Sequence, residues 1–255
     1  MDRHAYIIGD FVKIGSFADA LRPHTTHFWL VFPYNRTMRY NTLYFDLDDT
    51  LYPSHSGLWE AILTRMHAYM HQVVNLPEDQ ISGLRQQYLE TYGTTLAGLQ
   101  RHYQVNTDEY LAYVHNLPLE KFIQPDPALR QMLLSLPQRR WIFTNSDANH
   151  AQRVLSILGA QDCFEGIIDV RAVDFNPKPT LSAYQMALSL SGEDDPTHCI
   201  LMDDSTRNLA PAREMGFFTI LVGSSQPHSS ANLSITSLHQ LPQVMPELWE
   251  GNHRE

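Results

Sequence analysis

Cysteine is scarce in this chain, with only Cys163 and Cys199 among 255 residues. Two thiols cannot build a disulfide framework, and their spacing fits no zinc pattern. The expectation is a reducing, cytoplasmic setting, with both thiols as small buried apolar groups. Long hydrophobic runs are also missing. The longest early one, Phe28-Trp29-Leu30-Val31-Phe32, falls well short of the roughly 18 residues a membrane span needs, and it is not a signal peptide. Positive charge is in deficit: 18 Lys and Arg stand against 28 Asp and Glu, a formal net charge of −10. That balance repels a nucleic-acid polymer or an anionic membrane, so neither is expected as a partner. A small anion is a different case, because one positive pocket or a bound metal reverses the sign locally. What remains is ordinary globular composition, 43% hydrophobic and 18% charged, too apolar to stay disordered. One large domain, or one domain carrying an insert, is expected at this length.

Residues 1–37 show no sustained period and no helix caps. They read as an N-terminal extension, loosely packed or lying upstream of a natural start, with a docked strand over 28–32 as the alternative. From Thr42 the pattern sharpens. Leu43-Tyr44-Phe45-Asp46-Leu47 is a short apolar run ended by acids, which suits a buried strand. Runs of the same kind recur at 141–143, 166–168, 199–202 and 218–222. Near-continuous apolar strands imply burial on both faces, as in a parallel sheet. Helical patterns separate them: Ala148 to Leu158 with Gly159 as its stop, Leu181 to Leu190, and Leu209 to Met215 stopped by Gly216. Strands alternating with helices predict a Rossmann-like, doubly wound parallel α/β sheet.

The stretch from Asp49 to Trp141 is far longer than one crossover helix requires. Leu58, Ile62, Met66, Tyr69 and Val73 form one helical stripe, and Ile81, Leu84, Tyr88 and Tyr92 another. Thr107 is placed to cap a third helix, and Asp126-Pro127 to open a fourth through Leu136. The predicted organisation is therefore an α/β core over residues 38–52 and 126–255, with a helical cap domain inserted over 53–125. The last thirty residues read as a Ser-rich loop followed by a closing strand and helix.

The strongest chemical signal is Asp46-Leu47-Asp48-Asp49-Thr50 at the carboxyl end of the first strand. Open α/β sheets bind ligands outside the carboxyl ends of their strands. Two carboxylates two residues apart on a strand point the same way, and their mutual repulsion calls for a cation. Hard oxygen ligands beside a phosphate suit Mg²⁺. Met202-Asp203-Asp204-Ser205 ends another strand and adds more carboxylates. Phe143-Thr144-Asn145-Ser146 offers a hydroxyl and backbone amides at a helix start, which attracts anions, and Lys178 stands between Pro177 and Pro179. Alone, each element is commonplace: a DxD pair is most often a loop, Thr144 a turn residue, Asn145 a cap and Lys178 a surface lysine.

Taken in order, these strand-end residues are the motif set of the haloacid dehalogenase-like superfamily, which the chain closely resembles from Met38 onward. The resemblance implies that Asp46 attacks phosphorus and becomes an aspartyl phosphate. It implies that Asp48 protonates the leaving group and then deprotonates water. Mg²⁺ would be held by Asp46, the Asp48 carbonyl, and Asp204 with Asp203. Thr144 and the Asn145 amide would hold phosphate oxygens, and Lys178 would bridge phosphate and nucleophile. A carboxylic acid at position 48 points to phosphoryl transfer, because a dehalogenase attacking carbon needs no leaving-group acid there.

Cap and core together resemble the pyrimidine 5′-nucleotidase branch. The resemblance lies in the stretch from Asp46 to Tyr52, Tyr92 to Leu99, Val114 to Glu120, Pro125 to Arg130, Phe143 to Asp147, and His150 to Leu155. That branch implies a nucleoside monophosphate as substrate, chiefly UMP or CMP. The alternatives are another small metabolite, such as a sugar phosphate or phosphoglycolate, or a catalytically silent nucleotide-binding regulator. Asn176 departs from the pattern, standing where a smaller residue is expected before the lysine. Tyr88 is assigned to the cap core. Tyr92, Thr94 and Thr95 are candidate substrate contacts, weaker than the motif residues. His67 and His71 read as a solvated helix edge; His115 in the cap and His150 at the helix start after Thr144-Asn145 are placed to approach the site, with ordinary polar helix residues as the favoured reading. Asp49 is given a local turn role.

Overall fold

The computed structural model describes residues 39–249. The reading of 1–37 as an extension, and the strand considered over 28–32, lie outside these residues. The apolar runs become β1 (Thr42–Phe45), β2 (Arg139–Phe143), β3 (Gly166–Ile168), β4 (Cys199–Asp203) and β5 (Phe218–Val222). A short β6 (Leu233–Ile235) follows the Ser-rich loop. Among the described residues they form one sheet in the order β3-β2-β1-β4-β5-β6, every pairing parallel.

The apolar character of β1 has a direct cause. All its residues are buried, and alternation sends them to opposite faces. Leu43 and Phe45 join a core with Ile142, Ile200, Met202 and Ile220. Tyr44 joins a second core with Phe143, Leu201 and Leu221. On the first face pack α5 (Pro127–Ser135) and α6 (Ala148–Leu158); on the second, α7 (Leu181–Ser191) and α8 (Thr206–Met215). The result is the doubly wound three-layer sheet expected from the sequence.

Four helices lie between β1 and α5: α1 (Leu58–Gln72), α2 (Glu78–Tyr92), α3 (Thr95–Tyr103) and α4 (Thr107–Val114). They enclose a core of their own around Tyr69, Ile81, Tyr88, Leu99, Tyr110 and Val114. Leu58 and Ile62 at the start of α1 pack instead into the sheet's first core, so this helix joins insert and sheet. Val73, placed by periodicity on the apolar stripe, lies one residue past the helix and is exposed. Asn106 caps α4, its side chain accepting from Glu109 N–H; Thr107, expected as the cap, is the first helical residue. Asp126 caps α5 with Pro127 at the first position, as read. The helix α3 was not foreseen, because Gly93, Thr94, Thr95 and Gly98 look like loop. Thr94 in fact caps it, accepting from Ala97 N–H. No described helix is long and apolar enough to cross a membrane.

Candidate active site

The strand order reverses direction at β1, which lies between β2 and β4, and parallel pairing brings their carboxyl ends to one rim. Phe45 of β1 lies opposite Ile142 of β2 and Met202 of β4. The residues that follow each strand therefore meet: Asp46 after β1, Thr144 and Asn145 after β2, and Asp203 and Asp204 at the end of β4.

Lys178 ties this rim together. Its Nζ donates to Asp46 Oδ1 at 2.8 Å, to the Phe143 carbonyl at 2.7 Å and to Asp203 Oδ2 at 2.6 Å. The side chain is fully buried. An ammonium has three N–H donors, and all three are used. Burial opposes the charge, but Asp203 and Asp46 outweigh it and hold the ammonium above the ordinary lysine value. Lys178 thus touches Asp46, the residue expected as nucleophile, and its donors are all taken up within the protein. A phosphate oxygen would have to displace one of the protein acceptors.

The loop presenting Lys178 is fastened by Asn145. Asn145 Nδ2 donates to the Lys178 carbonyl at 2.9 Å, and Lys178 N–H donates to Asn145 Oδ1 at 2.8 Å. The Asn145 side chain therefore acts on the chain, which leaves only its backbone for the phosphate role expected of it. Thr144 is buried, with Oγ1 accepting from Ser146 N–H at 3.0 Å.

Asp46, Asp203 and Asp204 each bring a carboxylate oxygen within 4.8 Å of the others. Three carboxylates face one ammonium, leaving excess negative charge. Burial pushes the Asp46 carboxyl upward, and Asp203 and Asp204 add to this against the pull of Lys178. Asp204, open to solvent at the rim, is pushed up to about 7 by burial of its inner side, then by Asp203 and Asp49. Such a set suits a hard divalent cation, which would relieve the repulsion. Asp203 is the least free of the three, because Oδ2 meets Lys178 and Oδ1 accepts from Ser205 N–H and Asn208 Nδ2.

Asp48 does not share this cluster. The strand ends at Phe45; Asp46 still bonds by its N–H to the Met202 carbonyl, but Asp48 opens the following turn, so strand alternation no longer aligns the two. Asp48 Oδ1 accepts from the Tyr52 hydroxyl at 2.7 Å and lies 2.8 Å from His150 Nε2, while Oδ2 accepts from Ser146 Oγ at 2.6 Å. Burial alone would raise its pKa; His150, Ser146 and Tyr52 reverse that and hold it well below the usual carboxylate range. Asp49 fills the turn at φ +57°, a conformation Asp tolerates, and stays outside the cluster.

This chain matches the family model described as haloacid dehalogenase-like hydrolase over residues 40–216. The protein is a haloacid dehalogenase-like hydrolase. It is 29% identical over 189 residues to "Phosphate metabolism protein 8" of Saccharomyces cerevisiae, covering 68% of this chain and 58% of the yeast protein. The chain therefore spans little more than half the length of that curated relative. Among solved structures it resembles CbbY from Rhodobacter sphaeroides in complex with phosphate, with a TM-score of 0.58, 17% identity, and coverage of 79% of this chain and 96% of that one. It also resembles the magnesium-bound HAD-hydrolase YfnB from Bacillus subtilis, with a TM-score of 0.56, 16% identity, and coverage of 82% and 99%. At these identities the structural likeness speaks for the fold.

In this haloacid dehalogenase-like hydrolase the residues around Asp48 are the ones the sequence reading ranked too low. For His150 and His115 the favoured reading was of ordinary polar helix residues over residues approaching the site, but both are buried and their rings stack, with centroids 4.2 Å apart. The signal that could have found His150 is its place one helical turn past Ser146, on the same face of the helix start. Of the weaker candidates, Tyr88 is buried in the insert core as assigned. Tyr92 bonds His102, and Thr94 is spent as a helix cap. His67 is half-buried with Nε2 closed off from solvent, contrary to the solvated edge expected, because α1 packs against α2 and α4. A cavity of about 500 Å³ opens between α4 and α6, lined by Asp108, His115, Asp147, His150, Arg153 and Arg171.

Proposed function

We infer that this hydrolase is a magnesium-dependent phosphomonoesterase working through an aspartyl phosphate on Asp46, with nucleoside 5′-monophosphates such as UMP and CMP as substrates. The observation that carries the reading is the contrast between two nearby carboxylates. Asp46 is held by a buried ammonium beside further acids, and Asp48 is held by hydroxyls and an imidazole. Groups with such different surroundings suit different roles, a nucleophile and an acid–base.

Asp46 presents an oxygen to phosphorus while Lys178 fixes its orientation and offsets its charge. Asp48, once it has taken up a proton against the pull of its three donors, gives it to the departing alkoxide and later takes one back from water. Thr144 and the Asn145 amide receive phosphoryl oxygens. Magnesium, held by Asp46, Asp204 and the Asp48 carbonyl with Asp203 alongside, would neutralise charge on the phosphoryl group. The phosphate seen with CbbY and the magnesium seen with YfnB fit this pairing. The core is proposed as residues 38–52 and 126–255, with 53–125 as the cap over the rim. The cavity between α4 and α6 falls in the size range of small-molecule sites and would receive the organic part of the ester. Nucleotide preference rests on the resemblance of the cap and core motifs to the pyrimidine branch. A cytoplasmic setting is supported by the two buried free cysteines.

Steady-state kinetics on a panel of phosphomonoesters with Mg²⁺ tests this. UMP and CMP should be preferred over sugar phosphates and phosphoglycolate. Equal rates across the panel would reassign the substrate, and tight nucleotide binding without hydrolysis would make the chain a silent binder. Asp46→Asn should abolish turnover while circular dichroism stays unchanged; appreciable residual activity refutes the covalent role.

A further inference from the structure

Asp48 is held more firmly than a swinging acid–base group requires. A carboxylate has about four acceptor positions on its two oxygens. Tyr52 and His150 occupy those of Oδ1, and Ser146 takes one on Oδ2. About one position is left, on Oδ2. The His150 side chain is inaccessible, and its Nδ1 has no hydrogen-bond partner among the described residues. A buried N–H without an acceptor is costly, so the ring proton belongs on Nε2, where Asp48 accepts it.

The His150 ring is fixed from several sides. It stacks on His115 with planes 16° apart. His115 follows the last turn of α4 and places Nδ1 3.0 Å from Asp147 Oδ2. The other oxygen of Asp147 accepts from His150 N–H at 2.9 Å. Arg153, one turn further along α6, donates to the carbonyls of His115 and Leu117 at 2.8 and 2.6 Å, clamping the end of α4 onto α6. A residue of the insert thus braces a residue of the core that touches Asp48.

We propose that His150 is a positioning residue that aims the open acceptor position of Asp48, and that His115 of the insert braces it for this task. The proposal rests on the phosphatase reading above and concerns its second half. There, water oxygen bonds to phosphorus and the bond from phosphorus to the Asp46 oxygen breaks, its electron pair returning to Asp46. One water proton passes to Asp48. Without His150, Asp48 keeps two anchors and its free lone pair is no longer aimed, whereas the contacts of Lys178 to Asp46 remain. Hydrolysis of the phosphoenzyme should slow more than its formation.

Rapid mixing of the full chain with Mg²⁺ and p-nitrophenyl phosphate tests this. His150→Ala should release a burst of about one nitrophenolate per enzyme, followed by steady turnover reduced about tenfold or more. His115→Phe keeps a stacking ring and loses the Asp147 bond; it should show the same burst with a smaller reduction. The double variant should turn over no more slowly than His150→Ala. His150→Gln, which restores an N–H donor, should recover part of the loss. Unchanged turnover in His150→Ala, or a burst that shrinks in step with turnover in every variant, overturns the proposal in favour of a structural role. If His150→Ala fails to fold, His115→Phe and His150→Gln decide by the same criterion. A wild-type chain that releases no nitrophenolate refutes the phosphatase reading and this proposal with it; an active wild type with indifferent variants refutes the positioning role alone.

Discussion

Lys178 shows how much one side chain can be made to do. Its ammonium sits between two carboxylates and a carbonyl with no exposure to solvent. A buried pair is weak evidence of net stabilisation, but removing one partner strands the other, typically at 3–5 kcal/mol. Lys178→Met should therefore lower unfolding free energy by about 3–5 kcal/mol in chelator, read from urea titration. A loss below about 1 kcal/mol would mean that Asp46 and Asp203 are relieved by other means. The order of Asp46, Thr144, Lys178 and the acid pair was legible in the sequence because each ends a strand or opens a helix. The saturation of Lys178 and the role of His150 were not. Asp48 and His150 are 102 residues apart; the place of His150 one turn past Ser146 hints at the rim, but the contact itself is made only by the fold.

At the scale of elements, the strands could be read because burial on both faces leaves a run of apolar residues that no surface segment shows. The helix α3 could not, since its glycines suggested a loop. Gly98 is there for proximity: a Cβ at that position would lie 2.1 Å from Tyr88 Cγ, so α2 and α3 pack together only without it. Elsewhere in a helix, Gly→Ala is stabilising by roughly 0.5–1 kcal/mol. Here the sign should invert. Gly98→Ala should destabilise the protein by about 1–3 kcal/mol, seen as a lower thermal midpoint, as expected for overpacking. A raised midpoint would show that the insert core gives way easily. Thr107 and Asn106 make a milder case, in which two adjacent residues both suit a cap and the backbone chose the earlier.

Across the whole molecule, the contact between insert and core has a pH signature. Burial lowers the pKa of His115 from its ordinary 6.5, so the folded state binds its proton less readily than the unfolded chain. Stability is then fully present above 6.5 and lost as the pH falls below it. Burial alone would raise Asp147, but bonds from His115 and the His150 amide pull it down to about 2. Its contribution is present above 3.8 and lost as the pH falls from there toward 2. Urea midpoints between about pH 7 and 5 should decline more steeply for the wild type than for His115→Phe. Parallel slopes would refute this. The separation of sheet and insert was visible in the sequence as a change of period, whereas the brace between them was not, because it depends on how α4 comes to rest on α6.

The three-way grip of Lys178 reaches across 132, 35 and 25 residues of sequence. A centre gathered from such remote stretches has no half-built version: early in refolding its parts are strangers, and they meet only once the sheet closes. On warming, catalysis and the near-ultraviolet signal should vanish at one temperature, making turnover a gauge of how many molecules in a sample are native.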